Sequence, residues 1–410
     1  MLKWVLVGFS LRMYRSAQKG INHDGSCGNR IRIAFSVRTT VRAGVEEHVL
    51  SILNSLDSTK YESFLLADPT LIRAFGDDLT ETQTKVVPIR IQGRFDYRAA
   101  AEFLKFAKEI RPHILHSHMF IAGFFYSPLA RVAGIPVVLE TVHGIERHRV
   151  EKKLTGRLTF LVDRIWSVFT DAYIGVSHSC AVELREIKGI PSRKIFVVHN
   201  GRDLTTYKPP ERTVREKARK EMGIKDDDFV FGVIGRLDYQ KGHTYLLKAA
   251  SKLLALGREF KVLFVGDGPY EDRLKAEADR LGLNGRLIWA GFRQDVTRML
   301  AAMDVNVLPS LYEGLPLVAI ESLATCTPMI ATRVDGNPEV VLDGKTGIIC
   351  REKDPEDLSH SMAWAQDNLT DMQIMASAGR KYVLKEYSLK KQMAETEAIY
   401  KGILSRKSCR

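Results

Sequence analysis

Cysteine is scarce and unpatterned in this sequence: the five residues Cys27, Cys180, Cys326, Cys350 and Cys409 are odd in number, widely scattered and form no C-x-x-C pair. That distribution argues against a disulfide framework and a cysteine zinc site, and it predicts a reducing, cytoplasmic compartment. Long apolar runs are missing as well. No stretch approaches the roughly 18 residues that span a bilayer. The opening run Trp4 to Leu11 is followed by Arg12 and Arg15 where a signal-peptide cleavage site would need small neutral residues. Residues 1–29 are therefore expected to be a disordered leader. No G-x-G-x-x-G fingerprint with an acidic ribose partner occurs, which argues against a dehydrogenase, and the glycine loop Gly235 to Gly242 is no P-loop because glycine follows Lys241. Neither a zinc finger, an RNP-like motif nor a Lys/Arg block with interleaved aromatics is present, so no nucleic-acid partner is expected.

What is present is an ordinary globular composition, 45% hydrophobic and 27% charged, over 410 residues. Single cores stop growing near roughly 250 to 300 residues, so two domains are expected. The net charge of +12 sits in the first half, where residues 1–210 hold 30 Lys and Arg against 20 Asp and Glu, while residues 211–410 hold 31 against 29. A basic half of this kind suits an anionic membrane surface or a phosphorylated acceptor.

Strand-like and helix-like segments alternate from Arg30 onward. Arg30 to Val37 alternates as an opening strand, and Val45 to Leu56 carries apolar residues at helical spacing. The loop between them, Thr39 to Gly44, is small and ends in glycine, which lets backbone approach a ligand above the sheet. Further strands are expected at Phe64 to Ala67, Val86 to Ile89, Ile114 to Ser117 and Val137 to Thr141, with helices from Asp96 to Ile110 and through Phe125 to Val132. A basic helical stretch from about Val150 to Phe169 follows. The pattern is a parallel α/β sheet, whose ligands sit beyond the carboxyl ends of strands. His143, beside Gly144 at one such end, is a candidate to contact a substrate hydroxyl. For His116 and His118 local hydrogen bonding suffices, and Ser177 or Ser179 is explained as a helix cap.

A strand ending at Asn200-Gly201, then Tyr207-Lys208-Pro209-Pro210, marks a linker, after which the same grammar restarts. Residues 30–207 are expected to form one domain and 208–388 a second, with a helix at about 389–405 able to cross back to the first. In the second domain Phe229 to Ile234 ends at Gly235-Arg236, and Lys241 opens the following helix. Arg236 and Lys241 stand five apart at a strand end and a helix start. Charge-assisted bonds from them to a phosphate contribute on the order of 1.5 to 3 kcal/mol each. Further strand ends carry Gly266-Asp267-Gly268-Pro269 and Gly291-Phe292-Arg293. Then comes Val305 to Pro309 followed by Leu311 to Glu321, where Glu313 and Glu321 bracket a turn and a helix start. Pro316 suits the first helical position, leaving the N–H groups of Gly314 and Leu315 at the positive end of the helix, a setting for phosphate. Eight residues of helix reach about 12 Å, comparable to a sugar diphosphate.

The order of these motifs resembles the GT-B retaining glycosyltransferases of family four, the large group-one type that transfers a sugar from a nucleotide donor. The resemblance covers nearly everything from Arg30 to Leu404. It implies two Rossmann-like parallel-sheet domains facing across a cleft, with the C-terminal helix crossing back. It implies that Arg236 and Lys241 neutralise the departing diphosphate, that Glu313 and Glu321 form the E-x7-E motif near the transferred sugar and on the ribose hydroxyls, and that His143 stands near the donor sugar. Gly44, Asn200, Gly235, Gly266, Gly268, Phe292, Arg293, Gly314 and Leu315 complete the expected substrate-binding set. In the first loop Ala43 replaces the first member of the usual Gly-Gly pair. The implied reaction is metal-independent: no D-x-D motif stands at a strand end, and Asp226-Asp227-Asp228 precedes a strand as a solvated turn. A UDP-sugar is the expected donor and a saccharide or lipid-linked saccharide the acceptor, as in cell-surface polysaccharide, lipopolysaccharide or glycolipid synthesis. Arg94, Arg98, Arg147, Arg149, Lys152 and Lys153 are candidate acceptor or membrane contacts. A non-hydrolysing epimerase and a non-catalytic sugar-nucleotide sensor are the competing readings; net epimerisation of donor alone, or binding without transfer, would mark them.

Overall fold

The computed structural model describes residues 30–40, 44–80, 82–93, 96–144 and 162–408. The leader at 1–29, Ala43, Arg94, Arg147, Arg149, Lys152 and Lys153 lie outside these residues, as does most of the basic stretch after Val150. Its last turns are helical at residues 162–166.

Two parallel sheets organise the chain. The first contains β1 (Ile31–Val37), β2 (Tyr61–Ala67), β3 (Lys85–Pro88), β4 (Ile114–His118), β5 (Val137–Val142), β6 (Ala172–Gly175) and β7 (Ile195–Val197). The second contains β8 (Val230–Ile234), β9 (Lys261–Val265), β10 (Leu287–Trp289), β11 (Val305–Leu308), β12 (Met329–Thr332) and β13 (Ile348–Cys350). Their orders are β3-β2-β1-β4-β5-β6-β7 and β10-β9-β8-β11-β12-β13. Each order reverses direction once, between β1 and β4 and between β8 and β11, and such reversals open the crevice in which doubly wound sheets hold ligands. The runs are apolar because both faces are covered: Val305 to Leu308 is buried at every position.

Local chemistry fixes the helices. Asp96 caps the helix Tyr97–Ile110, its carboxylate accepting from the N–H groups of Arg98 and Ala99 at 3.1 Å each. That helix buries Ala99, Phe103, Phe106 and Ala107 on one face. Ser177 caps the helix His178–Glu186, accepting from Cys180 N–H at 3.1 Å. The last helix, Leu389–Ser408, sets Met393, Tyr400 and Ile403 into the core of the first sheet beside Ile33, Phe35 and Val49. The helix Leu389–Ser408 thus packs on the first sheet. Among the described residues no helix is long and apolar enough to cross a membrane.

Candidate active site

Three elements of the second sheet converge at its reversal point. After β8, Gly235 turns the chain and Arg236 follows; its guanidinium, 60% exposed, is held by the Asp238 carboxylate. Lys241 precedes the helix His243–Ala255. After β11 the chain runs through Ser310 into the Glu313 turn, and the two loops are tied together: Leu311 N–H donates to Gln240 O at 2.8 Å and the Gln240 amide to Tyr312 O at 3.1 Å. Only glycine fits at Gly242, which has φ 65° and would place a Cβ 2.0 Å from Pro309 O.

These ties deliver Lys241 Nζ to 2.7 Å from Glu313 Oε1. Ser310 Oγ donates to the same oxygen at 2.6 Å, and Glu313 N–H donates to Asp335 Oδ2 at 2.7 Å. Burial of Glu313 is therefore compensated by a cation and a hydroxyl. The helix after it, Leu317–Ala324, begins one residue later than the sequence suggested, with Pro316 extended at the cap rather than inside the first turn. The N–H groups of Gly314 and Leu315 accordingly precede the helix, and neither has a hydrogen-bond acceptor among the described residues. They form an anion-ready end beside Lys241.

Glu321, four residues into that helix, is buried, and its Oε1 accepts from Arg202 Nε at 2.7 Å and from Tyr207 Oη at 3.2 Å, with Arg202 Nη2 in ion-pair contact at 2.7 Å. Gly266 and Gly268 mark close approaches of backbone, where a Cβ would stand 2.1 Å from Gly235 O and 2.5 Å from Leu237 O. Phe292 is exposed beyond β10, whereas the Arg293 guanidinium is engaged by Asp295 at 2.7 Å and Glu221 at 2.9 Å.

The first sheet presents His143 to this assembly. Gly314 is so close that a Cβ there would lie 2.1 Å from His143 O, and a Cβ on Gly144 would lie 3.5 Å from Gly314. His118 Nδ1 stands 3.3 Å from His143 Nε2, and His48 packs edge-on against the His143 ring at 4.7 Å between centroids. Burial holds all three imidazoles below their ordinary value, His143 down to about 3, so they are neutral hydrogen-bonding groups rather than cations at physiological pH. Nitrogens of His48, His118 and His143 lie within 4.8 Å of one another, as do ligand atoms of His178, His199 and Glu339, so either set could meet a metal ion. In the second set Glu339 already accepts from the N–H groups of His178 and Ser179 and from His199 Nε2.

Local hydrogen bonding does not account for His116 or His118: His116 lies between Tyr400 Oη at 2.6 Å and Thr141 Oγ1 at 2.7 Å, both distant in sequence, and His118 joins the His143 cluster with Nε2 unpartnered among the described residues. Asn200 is buried, and its Oδ1 has no hydrogen-bond partner among the described residues. Gly44 is exposed at the start of the helix Gly44–Ser55. Reading the sequence did not single out Arg202, Tyr207, His48, Ser310 or Asp335 as site residues. None of them carries a local signal, and they are gathered only by the tertiary fold, Arg202 meeting Glu321 across 119 residues of sequence.

The chain is similar to known proteins. The family model described as Glycosyltransferase Family 4 matches residues 42–206, and that described as Glycosyl transferases group 1 matches residues 214–382. The Escherichia coli UDP-Gal:alpha-D-GlcNAc-diphosphoundecaprenol alpha-1,3-galactosyltransferase is 28% identical over 315 residues, covering 74% of this chain and 79% of its own. Among solved structures, Anabaena HepE in complex with UDP and glucose superposes with a TM-score of 0.80 at 19% identity, over 91% of this chain and 100% of its own. A Rickettsia africae glycosyltransferase superposes with a TM-score of 0.78 at 20% identity, over 92% and 99%.

Proposed function

We infer the reaction from one premise: the chain belongs to the GT-B glycosyltransferases and is related to their group 1 and family 4 members. It transfers a sugar from a nucleotide-diphosphate donor to an acceptor. In the finer reading the donor is a UDP-hexose, the acceptor a hydroxyl of a saccharide or lipid-linked saccharide, and the anomeric configuration is retained. The observation that carries this reading is the convergence of Lys241, Glu313 and the acceptor-less N–H groups of Gly314 and Leu315 at the reversal point of the second sheet.

On this reading the protein's contribution is positional and electrostatic. The donor diphosphate lies on the N–H groups of Gly314 and Leu315, with Arg236 and Lys241 neutralising the charge that develops as it leaves. Glu321 accepts from the ribose hydroxyls, and Phe292 lies beside the base. His143, kept neutral by burial, faces the sugar from the other sheet. In a front-face displacement the departing diphosphate takes the acceptor proton, so no protein base and no metal ion is required. A division at 207/208 makes residues 30–207 with the last helix the acceptor half. The charge excess of that half, and the lipid-diphosphate substrate in the Escherichia coli relative's name, support an anionic acceptor at the cytoplasmic membrane face.

A screen of nucleotide sugars for nucleoside-diphosphate release, run with and without EDTA, tests the proposal. The expected result is acceptor-dependent UDP release that the chelator leaves unchanged. Restoration of a chelated enzyme by added Mn2+ or Mg2+ would overturn metal independence. Net epimerisation of donor alone, or tight donor binding without release across acceptors, would overturn the transferase reading. Flotation with vesicles that is indifferent to anionic lipid would overturn membrane docking.

A further inference from the structure

The segment from Asn200 to Tyr207, which carries the chain from the first sheet to the second, is bonded to the segment that carries it back. Arg202 N–H donates to Tyr387 O and Leu389 N–H to Arg202 O, each at 2.9 Å, and Gly201 N–H donates to Gln392 Oε1 at 2.6 Å. A Cβ on Gly201 would lie 2.6 Å from Ser388 O, so the two crossings touch along their backbones. The Arg202 side chain leaves this seam and reaches the helix Leu317–Ala324.

There it meets one oxygen only. Arg202 Nε and Tyr207 Oη donate to Glu321 Oε1, with Arg202 Nη2 in ion-pair contact at 2.7 Å from the same oxygen, and no donor among the described residues reaches Oε2. The Glu321 side chain is 6% exposed and that of Arg202 20%. A carboxylate oxygen that already accepts two hydrogen bonds has both its acceptor sites used, so the carboxylate is presented through Oε2 alone. The guanidinium also cancels a buried negative charge that would otherwise repel a diphosphate entering the same cleft.

We propose that Arg202 is a positioning residue for donor recognition: by occupying Glu321 Oε1 from the interdomain seam, it aims Oε2 at the ribose hydroxyls and makes the site selective for a ribonucleotide over its 2′-deoxy analogue. The proposal rests on reading Glu321 as the ribose contact. A site built to bond a hydroxyl rejects the analogue that lacks it, because its acceptor is then left unpaired. Once Glu321 is free to rotate, that discrimination falls.

The test uses the full chain with UDP and 2′-deoxy-UDP as calorimetric probes, and the kinetics of whichever UDP-sugar it turns over. The wild type is expected to bind UDP about 10-fold or more tightly than 2′-deoxy-UDP. Arg202→Met should bind UDP about 10-fold more weakly, compress the ribose preference to roughly threefold, and raise KM with little change in kcat. Arg202→Lys, which keeps the charge but loses the planar fork, should fall between the two. An unchanged ribose preference in either variant would overturn the proposal; should Arg202→Met fail to fold, the Arg202→Lys result decides. Glu321→Gln separates the two levels. If it leaves the ribose preference intact, the ribose reading of Glu321 has failed. If it abolishes the preference while the Arg202 variants keep it, only the role of Arg202 has failed.

Discussion

The sharpest consequence of the site concerns Lys241. In the structure its ammonium is 2.7 Å from Glu313 Oε1, and the two side chains are only 19% and 6% exposed, so the pair is poorly screened by solvent. Two roles are compatible with that geometry. Lys241 could serve only to neutralise a buried carboxylate, or it could move to the diphosphate as charge accumulates on the leaving group. Removing a charge-assisted bond to a phosphate costs about 1.5 to 3 kcal/mol, which for Lys241→Ala is a loss of about 10- to 150-fold in kcat/KM. A double-mutant cycle with Glu313→Gln separates the roles. If Lys241 only neutralises Glu313, removing the acid restores UDP affinity in the double variant. If Lys241 binds the diphosphate, the double variant binds UDP as weakly as Lys241→Ala. The expected outcome is the second, measured by calorimetry with UDP and by coupled detection of UDP release. Wild-type UDP affinity and turnover within twofold in Lys241→Ala would refute the reasoning.

Three further outcomes follow from named contacts. Gly314→Ala would set a Cβ 2.1 Å from His143 O and push the two halves of the cleft apart, so transfer should fall about 100-fold in steady-state assays while each core stays folded by circular dichroism. Tyr400→Phe removes the 2.6 Å bond to buried His116 Nδ1 and should destabilise the protein by about 1 to 3 kcal/mol in urea titrations with donor KM unchanged. Glu140 is buried against Gly123, and burial raises its carboxyl to about 7 from an ordinary 4.5. A raised folded value stabilises the protein fully below about pH 4.5 and the benefit is lost as pH rises through 7, so Glu140→Gln should gain on the wild type by about 3 kcal/mol between those limits. Parallel stability curves of the two proteins across that range would refute it.

The sheets and their carboxyl-end loops were legible because periodicity and glycine placement are local properties. The strands placed from sequence, from Arg30 to Val37 through Val305 to Pro309, lie within three residues of observed strands, whereas the His116 bonds come from Tyr400 and Thr141 and carry no local signal. Pro316 was misplaced by one residue, since its fixed φ suits the cap as well as the first turn. The Glu321 clamp was not legible. Arg202 lies 119 residues away in sequence, and nothing local distinguishes an arginine that reaches a buried carboxylate from one on a solvated turn. His48 was hidden for the same reason, as one residue of an amphipathic helix whose neighbours come from two other strand ends.

The charges of the site are balanced before any donor enters: Lys241 by Glu313, Arg236 by Asp238, Arg202 by Glu321. Net neutrality lowers the repulsion among like groups crowded into one cleft, and it means that a diphosphate must exchange partners with the carboxylates rather than fill free cationic sites. The three pairs are not equivalent in that exchange. Arg236 is 60% exposed and can leave Asp238 at little cost in solvation, and Lys241 has a flexible stem whose departure leaves Glu313 with the Ser310 hydroxyl. Arg202 is fixed by backbone bonds to the returning chain and touches its acid through two nitrogens, so it stays. On the proposed reading, then, the two pairs around the diphosphate are the exchangeable ones, and the pair around the ribose is the fixed reference against which the nucleotide is placed.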